Sequence, residues 1–267
     1  MNALNMNLVI QKLENFTLQA TGVQVEDLAV IYNNGHRAIE KISFDLPAGS
    51  ITALIGANGS GKSTLFKAIM GFIPHQQGKV SIMGANVKKA LKNNSIAYVP
   101  QSEDVDWNFP VLVKDVVMMG RFGHMNFLRI ASKNDHNLVE QSLSRVNMLD
   151  FKDRQIGELS GGQKKRVFLA RALAQQSSVI LLDEPFTGVD TTTEKQIISL
   201  LNKLAKQGKV ILVSTHNLNS IPDFCDNTIL INKTLLAFGK TKDVFTDNNL
   251  AQTFGKTLAL FTPNSSV

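Results

Sequence analysis

The sequence predicts an α/β fold built around a parallel sheet. Three near-continuous apolar runs, at residues 50–55, 179–182 and 210–213, have the length of a strand. Strands that are buried on both faces of a parallel sheet lose the usual alternation of apolar and polar residues. A helical pattern over residues 193–206 lies between the second and third runs, which is typical of a strand–helix–strand unit.

Two further regions complete the predicted architecture. Residues 23–32 alternate and are rich in β-branched side chains, and residues 38–46 return after an Asn-Asn-Gly turn, so we expect an antiparallel β subdomain. Residues 102–165 are richer in Asp, Asn, Met and charge and contain helical patterns around 113–119 and 137–147. We interpret this region as an inserted α-helical subdomain.

The length of 267 residues predicts either two structural units or one large α/β domain, and we adopt the single domain. We assign residues 1–21 to an N-terminal extension, 22–240 to the domain, and 241–267 to a C-terminal tail that is either mobile or a small regulatory contact. Because Cys225 is the single cysteine, no intrachain disulfide can form, and a reducing compartment is expected. Neither a secretory leader nor an apolar run long enough to span a bilayer is recognised, so secretion and membrane spanning are not expected.

The charge balance is basic. Lys and Arg number 28 against 22 Asp and Glu, which gives a net charge of +6. Such an excess favours nucleic acid, phospholipid headgroups or small polyphosphates, and it is also compatible with a generic basic surface. Composition alone leaves these alternatives open.

Residues 56–63 match the phosphate-binding pattern G-x-x-x-x-G-K-[ST] completely, between an apolar strand and a helix. Glycines let several backbone N–H groups point at one anion, and the start of the helix adds its positive dipole end. We expect Lys62 to reach the terminal phosphates and the Ser63 hydroxyl to bind Mg²⁺. The predicted nucleotide-binding residues here are Gly56, Asn58, Gly59, Ser60, Gly61, Lys62, Ser63 and Thr64.

Three polar residues follow predicted buried strands, at the edge of an open α/β sheet where ligands bind. Asp183 ends one strand and is predicted to hold Mg²⁺. Glu184 follows it and would point the other way in an extended run, so we assign it to the attacking water as general base or as its orienter. His216 follows the next strand and is placed to contact a terminal phosphate oxygen.

The segment Leu-Ser-Gly-Gly-Gln at 159–163 resembles the signature sequence of the ATP-binding cassette (ABC) ATPases. The resemblance extends from about residue 23 to about residue 239 and includes the order of the motifs. It implies a P-loop NTPase core of the RecA-like type, carrying the antiparallel β subdomain and the inserted α-helical subdomain. It also implies ATP hydrolysis with ATP and Mg²⁺ bound.

The resemblance assigns further residues. Tyr32 would stack on adenine, and Gln101 would touch Mg²⁺ or water and connect the nucleotide to the helical subdomain. Asp190 resembles the acid of the D-loop, although the preceding Phe-Thr-Gly-Val departs from the more usual Thr-Ser-Ala-Leu. In the family two ATP molecules lie between two copies, so the signature segment would face the ATP of a second subunit. Its predicted residues are Ser160, Gly161, Gly162 and Gln163.

Within the family, one cassette without fused membrane helices or a long coiled coil resembles the separate ATPase subunit of an importer. Residues 104–110 and 115–124 are similar to those of bacterial manganese, zinc and iron importers, with manganese the nearest. The implied partners are an integral membrane permease and, indirectly, an extracytoplasmic metal-binding protein. The resemblance therefore places the chain on the cytoplasmic face of the cell membrane, held there by the permease.

An apolar group in this segment would accept a helix of the permease, or would instead be ordinary subdomain core. The group comprises Trp107, Phe109, Met118, Met119 and Phe122. The alternative function is a soluble ABC-type ATPase switch that acts on nucleic acid or another non-transport complex. Nucleic acid is not the expected partner, because no basic stripe interleaved with aromatic residues occurs.

Overall fold

The computed structural model describes residues 21–101 and 110–255, which form two sheets flanked by helices. The strands are β1 Thr21–Ile31, β2 Arg37–Pro47, β3 Ile51–Ile55, β4 Gln77–Ile82, β5 Ala85–Asn86, β6 Ile96–Val99, β7 Val179–Asp183, β8 Val210–Ser214, β9 Asn227–Asn232 and β10 Thr234–Lys240. The helices are α1 Lys62–Ile69, α2 Val87–Lys92, α3 Val113–Met118, α4 Lys133–Arg145, α5 Gly161–Ala174, α6 Thr191–Lys206, α7 Ile221–Phe224, α8 Thr241–Val244 and α9 Asp247–Phe254.

The central sheet has six strands in the order β10-β9-β3-β8-β7-β6. Its strands β9, β3, β8, β7 and β6 pair in parallel, and only β10 is antiparallel to its neighbour. Every residue of β3, β7 and β8 is buried, which is why these strands appear in the sequence as continuous apolar runs. The predicted parallel sheet and α/β class are confirmed.

The second sheet is antiparallel, in the order β2-β1-β4-β5. In the second half of β2, buried Ile42, Phe44 and Leu46 alternate with exposed residues, so one face of this strand packs on the core. Side chains of this sheet and of α1, such as Val25, Ile42 and Phe66, form one core that continues onto one face of the central sheet. This shared core fixes the start of α1 against both sheets.

Helices α3, α4 and α5 pack together beside the central sheet and share a second core with it, through side chains such as Val117, Leu143 and Val167. Helix α4 begins at Lys133, four residues before the predicted helical pattern. The cause is a capping box, in which the Ser132 hydroxyl accepts from the Asp135 backbone N–H and the Asp135 carboxylate accepts from the Ser132 backbone N–H.

The predicted C-terminal tail contains folded structure. Residues 241–254 form α8 and α9, and Val244, Leu250 and Phe254 are buried in the same core as α3 to α5. Leu250 and Phe254 are four residues apart and therefore lie on one face of α9. The expectation of a mobile tail is wrong for residues 241–254, and the alternative of a regulatory contact stays a prediction. The predictions for residues 1–20, for Trp107 and Phe109, and for 256–267 lie outside the described residues.

Candidate nucleotide-binding site

The phosphate-binding loop connects β3 to α1. Gly61 immediately precedes the helix with φ 102°, and a Cβ at this position would lie 2.7 Å from the Ala38 carbonyl oxygen. A Cβ on Gly56 would lie 2.5 Å from the Ile231 carbonyl oxygen. Both glycines are therefore required by the close packing of the loop, and the first turn of α1 is left open toward the cleft.

Lys62 lies inside the loop rather than in solvent. Its ammonium donates to the Gly56 carbonyl at 2.7 Å and to the Ala57 carbonyl at 3.3 Å. Burial lowers the pKa of Lys62, and the nearby carboxylates of Glu184 and Asp183 oppose that shift. The Ser60 hydroxyl is buried beneath the loop beside Gly56 and has no hydrogen-bond partner among the described residues.

The loop forms the floor of a cleft of about 370 Å³. The cleft brings together most of the predicted nucleotide-binding and catalytic residues. Its lining consists of Tyr32, His36, Ala38, Asn58, Gly59, Ser60, Gly61, Lys62, Ser63, Thr64, Gln101, Glu184 and His216. Gly56 and Asp183 do not line it, because Gly56 lies beneath the loop and Asp183 lies behind Ser63.

Asp183 is buried at the carboxyl end of β7. One carboxylate oxygen accepts from the Ser214 hydroxyl at 2.5 Å, and the other lies 3.4 Å from both the Ser63 and Tyr98 hydroxyls. Oxygen atoms of a carboxylate and hydroxyls are the ligands that Mg²⁺ prefers. The donor set of Ser63 and Asp183 therefore fits this ion.

The Glu184 carboxylate is held from three directions. One oxygen pairs with His216 Nε2, and the other accepts from Gln101 Nε2 at 2.8 Å and from the Thr187 hydroxyl at 3.2 Å. The backbone N–H of Glu184 donates to the Ser214 hydroxyl at 2.9 Å. Three residues from separate loops thus hold one buried carboxylate at the edge of the cleft.

Glu184 does not continue the extended strand. It has φ 52°, a left-handed conformation that is uncommon outside glycine. The side chains of Asp183 and Glu184 therefore point in different directions because the backbone at Glu184 is left-handed. They do not alternate along an extended strand. The predicted difference in direction between the two side chains agrees with the structure, but the extended run from which it was predicted is not present at Glu184.

Tyr32 lies just after β1, and its hydroxyl is 3.0 Å from the Thr64 hydroxyl. The rings of His36 and Tyr32 lie nearly parallel, with their centroids 6.4 Å apart and an interplanar angle of 17°. His36 was not predicted as a site residue, although its position four residues after Tyr32 in a tight turn is a usable signal. The sequence also missed Thr187, which contacts Glu184 three residues away, and Ser214, whose hydroxyl joins β8 to the end of β7.

The signature segment begins α5. The Ser160 hydroxyl accepts from the Gln163 backbone N–H at 3.3 Å, and the Gln163 side chain accepts from the Ser160 N–H at 2.9 Å. Gly162 lies beside the loop before α6, where a Cβ would be 3.6 Å from the Gly188 carbonyl oxygen. None of residues 160–163 lines the cleft of the same chain.

Asp190 also lies away from the cleft. Its carboxylate caps α6 by accepting from the Thr193 backbone N–H at 2.9 Å and from the Thr193 hydroxyl at 2.7 Å. These bonds lower the pKa of Asp190. The unusual Phe186 before it is buried edge-on against Phe224, with centroids 5.8 Å apart. The departure from the usual family sequence therefore supplies core packing.

Lys165, on the second turn of α5, contacts the backbone of Glu184. Its ammonium donates to the Glu184 carbonyl at 3.1 Å, and burial lowers the pKa of Lys165. This contact connects the signature helix to the end of β7 within one chain. The sequence did not single out Lys165, because nothing local indicates its partner.

Two observations concern what the described residues do not contain. No three His, Cys, Asp or Glu side chains within ranges 21–101 and 110–255 are grouped so that they could hold a metal ion together. No helix in these ranges has the length and apolar character needed to cross a membrane.

Comparison with known proteins agrees with this site. Residues 39–187 match the family model described as ABC transporter. The chelated iron transport system membrane protein YfeB of Yersinia pestis is 62% identical over 234 residues, covering 88% of this chain and 79% of that protein. The manganese transport system ATP-binding protein MntA of Synechocystis is 59% identical over 239 residues, which cover 90% of this chain and 92% of that protein.

Among solved structures, a dimeric ATP-binding cassette in a post-hydrolysis state with bound ADP and Pi superimposes with a TM-score of 0.71 and 26% identity. The match covers 82% of this chain and 98% of that one. The matched family model spans more than half of the chain and includes both the phosphate-binding loop and Glu184. The chain therefore belongs to the ABC transporter family and is one of its ATP-binding proteins.

Proposed function

We propose that this chain is the ATP-hydrolysing subunit of an importer that takes up a divalent metal ion through a separate membrane permease. The observation that carries the proposal is the Glu184 carboxylate, which is held by His216, Gln101 and Thr187 at the edge of the phosphate-binding cleft. Manganese is the proposed cargo, before zinc or iron. Support comes from the two relatives, whose names specify manganese and chelated iron transport.

The proposed chemistry is hydrolysis of the terminal phosphate of ATP. Backbone N–H groups of the loop and Lys62 bind the phosphates, and Tyr32 packs against the base. Glu184 accepts the proton of the attacking water or orients that water. His216 and Gln101 keep the carboxylate in place, and they are near enough to the cleft to contact the leaving phosphate.

Ser63 and Asp183 would hold Mg²⁺. The ion would neutralise negative charge on the phosphate oxygens when bound. Gln101, which the sequence also assigned to this ion, donates its amide N–H to Glu184 here. We therefore give Gln101 a positioning role toward Glu184 in the conformation described.

A second copy of the chain would complete the site. The tip of α5 at Ser160 lies outside the cleft of its own chain, yet the start of this helix presents a positive dipole end. The related cassette with bound ADP and Pi is dimeric. In a two-fold dimer each Ser160 tip would face the ATP of the other copy, because a two-fold axis makes such contacts reciprocal.

The permease would hold the chain at the cytoplasmic face of the membrane. Met119 and Phe122 are exposed and Met118 is half-buried, so this part of the predicted permease-binding group is accessible. The metal ion itself would pass through the permease as cargo. An extracytoplasmic metal-binding protein would deliver it.

The test is Glu184→Gln in the chain assembled with its permease in lipid vesicles. ATP affinity should remain within about threefold of the original, while ATP hydrolysis and manganese uptake should both fall by about a hundredfold or more, because the amide cannot accept the proton. Glu140→Gln is the matched control, since Glu140 is a surface residue paired with Lys152. Hydrolysis at the original rate would remove Glu184 from its role, and hydrolysis without any metal uptake would contradict the importer function.

A further inference from the structure

The helical region carries an exposed apolar turn that the nucleotide site does not use. Phe127 is 99% exposed, Leu128 71% and Ile130 63%. Single apolar side chains on a surface need no explanation, but a contiguous exposed group marks a site of contact. We define residues 126–130 as the apolar turn.

The backbone of the apolar turn is well hydrogen-bonded. The Arg129 N–H donates to the Asn126 carbonyl at 2.9 Å, and the Ile130 N–H donates to the Asn126 side-chain oxygen at 3.3 Å. Phe127 and Leu128 therefore occupy the two corner positions, where glycine, proline and small polar residues are usual. The turn is a formed, convex projection that displays apolar side chains.

The charge around the apolar turn is positive. No acidic residue occurs in the sequence between Asp115 and Asp135. Arg129 and Lys133 are exposed in this interval, and the Arg129 guanidinium lies 5.2 Å from the centre of the Phe122 ring. The charge of Arg121 does not add to them, because it is buried 2.9 Å from the Asp135 carboxylate.

We propose that the apolar turn inserts into the headgroup region of an anionic lipid bilayer, as a contact separate from the permease. A convex apolar tip with cations at its base matches a surface that is negative outside and apolar below. A protein partner would have to offer a groove of matching shape to cover so exposed a projection. The proposal rests on the importer function, which brings the chain to a membrane through the segment that immediately precedes the turn.

The experiment uses the full chain without permease and measures co-sedimentation with vesicles. One set is phosphatidylcholine alone, and the other contains about 30% phosphatidylglycerol, which gives the surface its negative potential. We expect binding to the anionic vesicles that weakens as salt is added. Phe127→Ser with Leu128→Ser should reduce this binding by about tenfold or more. Arg129→Gln with Lys133→Gln should abolish the preference for phosphatidylglycerol.

Two control pairs change equivalent groups elsewhere on the surface. Met83→Ser with Leu236→Ser removes two partly exposed apolar side chains, and Lys88→Gln with Lys89→Gln removes two exposed cations. Both pairs should bind vesicles as the original chain does. Glu184→Gln should also bind normally, so a failure of the catalytic assignment and a failure of lipid binding are read separately.

The proposal is overturned if the original chain does not sediment with anionic vesicles. It is equally overturned if the Phe127 and Leu128 double variant binds as well as the original. Loss of co-purification with the permease in that variant, without any change in vesicle binding, would assign the apolar turn to a protein contact instead.

Discussion

The ion pair of Arg121 and Asp135 shows how one buried contact can hold several elements together. The Arg121 guanidinium donates to the Asp135 carboxylate at 2.9 Å, to the Ala174 carbonyl at 2.8 Å and to the Gln176 side chain at 3.1 Å. Both members of the pair are buried. The pair therefore joins the segment after α3 to the start of α4 and the end of the signature helix α5.

Asp135→Asn should lower the free energy of unfolding by about 3–5 kcal/mol at pH 7, because it leaves the Arg121 charge buried without a counter-charge. Urea denaturation measures this change. Asp153→Asn is the control, since Asp153 pairs with Lys114 on the surface, and its cost should stay below about 1 kcal/mol. Equal effects of the two substitutions would contradict the structural role of the buried pair.

The same carboxylate gives a pH dependence with a definite sign. Hydrogen bonds from the Ser132 hydroxyl and backbone N–H, and then from Arg121, lower the pKa of Asp135 from 3.8 to about 2. A lowered folded-state pKa stabilises the fold above the unfolded value and loses that contribution as the pH falls toward 2. The difference in stability between the original chain and Asp135→Asn should therefore shrink below about pH 4.

Residues of the site differ in how far the sequence could predict them. Lys62, Ser63, Asp183 and His216 sit in local patterns, a glycine-rich loop or the end of an apolar strand, so their neighbours reveal them. Thr187 holds the Glu184 carboxylate only because the backbone turns left-handed at Glu184. A left-handed residue that is not glycine leaves no mark in the sequence, and the contact cannot be predicted from it.

Elements were predictable where burial imposes a pattern along many residues. Strands β3, β7 and β8 are buried over their whole length and were found from composition alone. The order of these strands across the sheet could not be predicted, because pairing depends on contacts between segments far apart in the chain. Helices α8 and α9 were missed because α8 has only four residues and α9 presents few apolar side chains, with Leu250 and Phe254 set among polar residues.

Helix α9 provides a test of whether the end of the described chain belongs to the core. Phe254→Ala should lower the free energy of unfolding by about 3–5 kcal/mol, because a buried aromatic side chain is lost and a cavity remains. Gln252→Ala on the same helix is exposed and should change stability by less than about 0.5 kcal/mol. A Phe254 variant as stable as the original would restore the mobile-tail interpretation.

The whole chain contains two halves of a site that do not meet. The phosphate-binding cleft has Lys62 at its floor, while the Ser160 tip of α5 is stabilised by its own capping box outside that cleft. Within one chain, α5 contributes Lys165 to the Glu184 backbone but leaves its own N–H groups without a phosphate. We therefore expect a second copy to supply the missing half to each cleft.

A site shared between two copies predicts complementation between two inactive variants. Lys62→Ala removes the phosphate-binding cation, and Ser160→Arg places a bulky charge where the second phosphate contact belongs, so each variant alone should lose at least about a hundredfold in ATP hydrolysis. In a 1:1 mixture half of the dimers are mixed, and each of these has one intact site of two. Hydrolysis should therefore recover to about a quarter of the original rate. Two Lys62→Ala preparations mixed together are the control, and an absence of recovery in the mixed sample would mean that each cleft works within its own chain.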